Sequence, residues 1–252
     1  MLSDKTCEKA RRSRDLRFDG LFFTGVTSTG IYCRPICPAP PPKPENVIYF
    51  PTASAAVNAS LSMDDLLKGV IEANGGMRLP GAWDPFEVVT RAVVGQQISV
   101  KGARTILGRI AEKAGKPAGK LAAQKLNTFF PDAKEVSGAN FIGLGMPQKR
   151  IDTLKRVASA VQSGQVQLEA GRKTAEFIDE ISQIKGIGPW TANYIVMRAF
   201  GEPDAFIAQD LGIINALTPK SGARPTAIQI EKRAENWRPW RAYAAVYLWH
   251  TR

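Results

Sequence analysis

The sequence predicts a mainly α fold: a compact bundle of short helices, preceded by a small α+β segment. Three observations predict it. From residue 63 onward apolar residues recur at helical spacing, stretch after stretch, with Gly or Pro at the joins. Residues 17–50 have another character, rich in Gly, Thr, Phe and Pro. Neither an internal repeat nor the alternation of a parallel sheet is present.

In chain order, GLFFTGV, GIYC and ENVIYF read as short strands, with the stiff run PAPPPKPEN extended between the second and third. After PTASAAVNAS come the helical stretches DDLLKGVIEAN, DPFEVVTRAVVGQQ, SVKGARTILGRIAEKAG and KRIDTLKRVASAVQSG. They are followed by TAEFIDEISQI, PWTANYIVMRAF, QDLGIINAL, TAIQIEKRAENW and WRAYAAVYLW. Asp84 before Pro85 marks one helix start, and Thr174 with Glu176 and Phe177 behind it marks another. Pro239 separates the last two helices. Two domains are expected, residues 1–60 and 61–252.

Composition bounds the function. A chain of 252 residues with 44% hydrophobic content is long enough for a substantial core. No run of eighteen apolar residues is present, and the charged N-terminal stretch lacks a secretory core, so a cytoplasmic protein without a membrane partner is expected. Three cysteines, Cys7, Cys33 and Cys37, are thiols rather than a disulfide framework. A net charge of +11 attracts polyanions, with nucleic acid the leading partner; charge alone also fits a basic protein with no such partner.

One stretch carries chemistry on its face. In IKGIGPW, Gly186 and Gly188 permit a tight turn and let the backbone approach a ligand, and Pro189 opens a helix whose leading amides are unpaired. With Lys185 and Thr191 beside it, this corner suits a DNA phosphate; the alternative is a helix corner whose glycines serve packing alone.

IKGIGPWTA resembles the hairpin of the helix-hairpin-helix DNA glycosylase superfamily, and GEPDAFIAQDLGIINAL resembles its loop with the catalytic aspartate, here Asp210. RAVVGQQISVKGARTI resembles the loop that faces the DNA minor groove, and RPWRAYAAVYLWHT the C-terminal helix of the 3-methyladenine DNA glycosylase II branch. The four segments, in matching order, cover most of residues 77–252. The resemblance implies a monofunctional glycosylase that hydrolyses the N-glycosidic bond of alkylated purines in duplex DNA, acts as a monomer and needs no cofactor. Asp210 would be the catalytic carboxylate; read locally, it is also a helix cap, and the two roles are compatible. Trp190, Tyr194 and Trp249 would wall the base pocket, where aromatic faces favour a cationic base over a neutral one; each taken alone also reads as plain core. Gln97 matches the wedge that fills the gap left by a flipped base, a position apolar in some members. Lyase relatives carry a lysine where this chain has Trp190, and cluster-bearing relatives have cysteines after Cys37, where this chain has none. The resemblance also implies a sodium or potassium ion on the main-chain carbonyls of Ser182, Ile184 and Ile187.

Residues 18–56 resemble the Ada-type domain, which moves a methyl group from a phosphotriester to a zinc-bound cysteine. Cys33 would be the acceptor and Cys37 a second zinc ligand, but the downstream Cys-x-x-Cys pair is missing. Cys7 matches no ligand position, and His250 is remote in sequence. The segment is therefore read as a truncated remnant without a complete zinc site, and its helix-turn-helix reader is missing as well. Two other functions compete with the enzyme: a non-catalytic DNA-binding module using the hairpin as a phosphate clamp, and an Ada-type methyl-acceptor regulator.

Overall fold

The computed structural model describes residues 2–119, 127–169 and 171–251. By packing, the chain parts into two compact units, one of Met1–Leu79 with Ala208–Arg252 and one of Pro80–Ile207. This is a division by contact, and the division by motif at residue 60 remains a proposal. None of the helices among the described residues is long and apolar enough to cross a membrane.

The first unit opens with α1 (Asp4–Ser13), which the sequence reading left out because its many charges mask a narrow apolar stripe. Ser3 caps it by accepting the Thr6 amide. Cys7 and Ala10 on its inner face are buried with Phe22, and Phe18 and Tyr49 pack against that cluster. The three strands form where expected: β1 (Phe23–Val26) is central, flanked by antiparallel β2 (Ile31–Cys33) and β3 (Val47–Phe50). Helix α2 (Ala53–Leu61) lies in the stretch of small residues PTASAAVNAS, whose short side chains hid its periodicity; Thr52 caps it. Next comes α3 (Asp65–Ala73), capped by Asp64.

The chain re-enters this unit with α10 (Leu211–Ala216), α11 (Ala227–Ala234) and α12 (Arg241–Trp249). Aromatic side chains tie its two parts. The Trp240 indole donates to the Gly30 carbonyl at 2.7 Å and stacks on Tyr32, centroids 5.2 Å apart. Tyr247, fully buried, donates to Asn58 at 2.7 Å. Asp64 accepts from the Arg233 guanidinium and from the Trp237 indole while still capping α3.

The second unit holds α4 (Pro85–Gly95), α5 (Val100–Ala114), α6 (Ala133–Gly138), α7 (Gln148–Gln162), α8 (Thr174–Ser182) and α9 (Pro189–Ile195). Helix α9 runs on into a π-helical turn, Val196–Phe200, closed by Gly201 in the left-handed region. Val89, Val93, Ile110, Leu154, Phe177, Ile181 and Ile195 form its buried core. Asp84 and Pro85 start α4 as expected, the carboxylate accepting the Phe86 amide. Thr174 differs: Lys173 occupies the cap position of α8, and the Thr174 hydroxyl, one residue too late to cap, donates to Glu202. Helix α6 escaped the reading because it spans a turn and a half; its Asp132–Glu135 capping box supplies the bonds at its start.

Burial raises the Asp64 carboxyl, but the bonds from Arg233, Trp237 and the Leu67 amide outweigh it and leave its pKa below the ordinary 3.8. A lowered carboxylate contributes stability above its unfolded-state pKa and loses it as the pH falls through the folded-state value. Asp64→Ala is expected to cost about 3 kcal/mol at neutral pH, since it strands a buried indole N–H and a guanidinium. Denaturant titration checks this; the gap between wild type and variant narrows as pH drops below 3.8.

Candidate active site

The hairpin is the turn between α8 and α9. Gly186 has φ +103°, and a Cβ there would fall 2.1 Å from the Thr153 hydroxyl, so only glycine fits. The turn's carbonyls are drawn back into the unit. The Lys185 carbonyl accepts from Thr153 at 3.2 Å and from Arg156 at 3.3 Å, and the Gly186 carbonyl accepts from the Gln96 amide at 3.0 Å. Carbonyls held inward turn the positive ends of the peptide dipoles outward, at the start of a helix whose first amides lack intrahelical partners. Lys185 and Gly186 are exposed there, and Gly188 caps α9.

Thr191 is 3% exposed, and its hydroxyl accepts the same Gln96 amide at 2.9 Å, so its side chain is engaged by the turn. The reason is helical phase: two residues into α9, position 191 points toward the core formed with α4.

Gln96 thus ties the loop after α4 to the hairpin by two bonds. Its neighbour Gln97 is exposed with φ +56°, a left-handed conformation that a side-chain-bearing residue adopts at some cost. The wedge candidate therefore stands at the tip of a loop whose base is pinned. Trp190 and Tyr194, one helical turn apart, stack on each other with centroids 5.2 Å apart and 18° between planes. They act as a single two-ring wall, closed between the rings. The Arg198 guanidinium lies 5.7 Å from the Tyr194 centroid.

Asp210 and Trp249 meet in the other unit. Asp210 is the N-cap of α10: its Oδ1 accepts the Ile213 amide at 3.2 Å and the Trp249 indole N–H at 2.9 Å. One half-buried carboxylate thus caps α10 and holds the Trp249 indole. Gly212 makes the second bond feasible, because a Cβ there would lie 2.7 Å from the Trp249 ring and 2.8 Å from Asp210 Oδ1. Gln96, Gly212 and Arg198 were missed by sequence reasoning. Gln96 sits beside Gln97 in GQQIS and Gly212 directly after the acid-leucine pair, but nothing local separates a tying glutamine from a solvated one.

Similarity to known proteins follows these features. Residues 6–62 match the family model described as the metal binding domain of Ada. Over 179 residues the chain is 32% identical to DNA-3-methyladenine glycosylase 1 of Schizosaccharomyces pombe, covering 67% of this chain and 72% of that one. The chain belongs to the 3-methyladenine DNA glycosylase family of helix-hairpin-helix proteins. Another family relative, the bifunctional transcriptional activator/DNA repair enzyme AlkA of Mycobacterium tuberculosis, is 32% identical over 201 residues, 78% of this chain. The chain spans 39% of that relative's length. The solved structure of the S. pombe 3-methyladenine DNA glycosylase in complex with abasic DNA aligns with a TM-score of 0.64, 28% identity, and 77% of this chain against 94% of that one.

The Ada-type match raises the question of zinc. Cys33 is half-buried, and burial together with a hydrogen bond to Cys37 pushes its thiol up to about 11, so it stays protonated at neutral pH. Cys7 lies in the apolar cluster under α1, and His250 bonds the Val246 carbonyl at the end of α12. Among the described residues no three His, Cys, Asp or Glu side chains converge. Two thiols fall short of the four ligands of a structural zinc site, so the residues present do not fit that metal.

The two hairpin glycines separate by experiment. Gly186→Ala is expected to cost about 2 kcal/mol or more from strain and the clash with Thr153. Gly188→Ala, with no atom within 4 Å of the added Cβ, should change stability by less than about 1 kcal/mol. Thermal unfolding of the two variants checks the contrast.

Proposed function

We propose that the chain is a monofunctional DNA glycosylase that hydrolyses the N-glycosidic bond of alkylated purines, 3-methyladenine and 7-methylguanine, in duplex DNA and leaves an abasic site. The observation that carries the reading is the doubly held carboxylate of Asp210, in a chain whose relatives are named for this activity. The target base has to leave the stack, at a cost of a few kcal/mol that is smaller for a damaged pair. An alkylated ring nitrogen makes the base cationic, so it departs neutral and the sugar gathers positive charge. Asp210 stabilises that charge and orients the attacking water. The Ile213 amide and Trp249 indole fix its direction in advance, which spares reorganisation during the reaction.

By residue type, Trp249, Trp190 and Tyr194 can each offer an aromatic face to a cationic base. With Arg198 already over Tyr194, the cation preference falls mainly to the indoles. The amides around Gly186 and Gly188, with Lys185, hold a backbone phosphate, and Gln97 fills the gap left in the stack. Trp190 in place of a lysine supports hydrolysis without a Schiff base. The neutral carbonyls of Ser182, Ile184 and Ile187 are a donor set suited to an alkali ion, which would add positive charge to the turn when bound. The protein acts as a monomer.

Asp210→Asn is expected to lower release of 3-methyladenine and 7-methylguanine from alkylated DNA at least about a hundredfold while leaving duplex binding within a few-fold. Unchanged release would refute the catalytic role, and no release from the wild type would favour a non-catalytic DNA module. Gly212→Ala, which displaces the indole from the carboxylate, should lower single-turnover release about tenfold with the fold intact. Single-turnover kinetics on a defined lesion duplex reads both.

A further inference from the structure

The second unit carries an open groove of about 740 Å³ that the glycosylase reading does not use. Its lining includes Lys155, Arg156 and Ser159 of α7, Ser163 at the C-cap of that helix, Gln165 just beyond it, and Lys185 of the hairpin. The groove lies on the carbonyl side of the turn. The Lys185 carbonyl is drawn toward Thr153 and Arg156 of this same helix, and neither Gly186 nor Gly188, whose amides are proposed to hold DNA, lines the groove. Of the residues assigned to the DNA contact, Lys185 alone lines it.

Its cations gather at one end, where the Arg156 guanidinium reaches the Lys185 carbonyl at 3.3 Å and Lys155 is the next residue along the helix. No acidic residue lines the groove, and among the described residues none of these three cations enters an ion pair. Their charge is unanswered by the protein. From Lys155, Ser159 and Ser163 follow at four-residue steps on one face of α7, a run of about 12 Å, which is the reach of about four extended residues. Ser159 and Gln165 are exposed, and among the described residues their side chains have no hydrogen-bond partner. The groove thus asks for negative charge at one end only. A nucleic-acid strand repeats its charge at every residue and would set phosphates against neutral hydroxyls, and no aromatic ring lines the groove to stack a base. A peptide can place carboxylates at one end and offer amide and carbonyl groups to hydroxyls and a carboxamide along the rest.

We propose that this groove docks an extended acidic peptide segment of a partner protein, with its carboxylates on Lys155, Arg156 and Lys185 and its backbone along Ser159, Ser163 and Gln165. The planar guanidinium of Arg156 gives the carboxylate end its orientation, and the two ammonium groups add charge without direction. The docking does not depend on the glycosylase activity.

The test uses the full chain and a fluorescein-labelled glycine-serine peptide with a pair of glutamates at one end, made in both chain directions, read by fluorescence anisotropy at low ionic strength. Saturable binding of at least one direction is expected, with none for the same peptide lacking glutamate. Lys155→Glu should weaken it about tenfold. Lys220→Glu, at an exposed position in the first unit, changes the net charge by the same amount and should weaken it less than about twofold. Ser159→Glu, at an exposed position within α7, removes no cation and sets a carboxylate in the groove; it should keep the unfolding temperature and weaken the peptide about tenfold, so the test survives if Lys155→Glu fails to fold. No saturable binding, binding without glutamate, or equal weakening by Lys155→Glu and Lys220→Glu would overturn the proposal. So would a loss of undamaged duplex binding in Ser159→Glu as large as its loss of peptide, which would assign the groove to the DNA backbone.

Discussion

Asp210 Oδ1 accepts two N–H groups that reach it from different sequence neighbourhoods, the Ile213 amide from its own helix and the Trp249 indole from α12. The first bond is what any capping aspartate makes. The second exists only if α12 is held in place and if position 212 has no side chain, since a single methyl group there would occupy the indole's position. Helix α12 is in turn fixed by Tyr247 on Asn58, and just ahead of it Trp240 is seated on Gly30 and Tyr32. A carboxylate proposed to act on a sugar is thus aimed by residues scattered from the first strand pair to the last helix. Preorganisation of this kind depends on packing far from the reacting atoms.

Much of this was legible in the sequence. The three strands and most of the helices after residue 63 appeared where apolar spacing and Gly/Pro joins placed them, because burial imposes its period directly on residue choice. Helix α1 was hidden by its charges, α2 by its small residues and α6 by its brevity, three ways in which a helix forms without a strong periodic signal. At the site, the motif residues Asp210, Trp190 and Gly186 were readable because glycine and acid positions are dictated by local backbone geometry. Gln96 and Gly212 were not, since their roles are set by groups ninety and thirty-seven residues away respectively, the Gly186 carbonyl and the Trp249 ring. At Thr191, residue type alone gave no sign that helical phase turns the side chain inward.

The front segment illustrates how a fold outlives its ligand set. Small metal domains ordinarily draw their stability from the metal. Here α1, the sheet and α2 share one compact unit with the C-terminal helices, and contacts such as Tyr32 stacked on Trp240 join them without a metal ligand taking part. Each stacked aromatic pair contributes about 0.5–1.5 kcal/mol beyond its buried area, enough for a few of them to substitute for lost coordination bonds in part.

The Gln96 side chain, which bonds the Gly186 carbonyl and the Thr191 hydroxyl together, couples the loop tip that carries Gln97 to the turn that carries Lys185. On the proposed reading, a wedge at Gln97 and a backbone contact at Lys185 then move as one piece. A protein sliding along intact duplex would sample pairing strength at each step with the same stroke that engages the strand, and would commit only where a weakened pair yields.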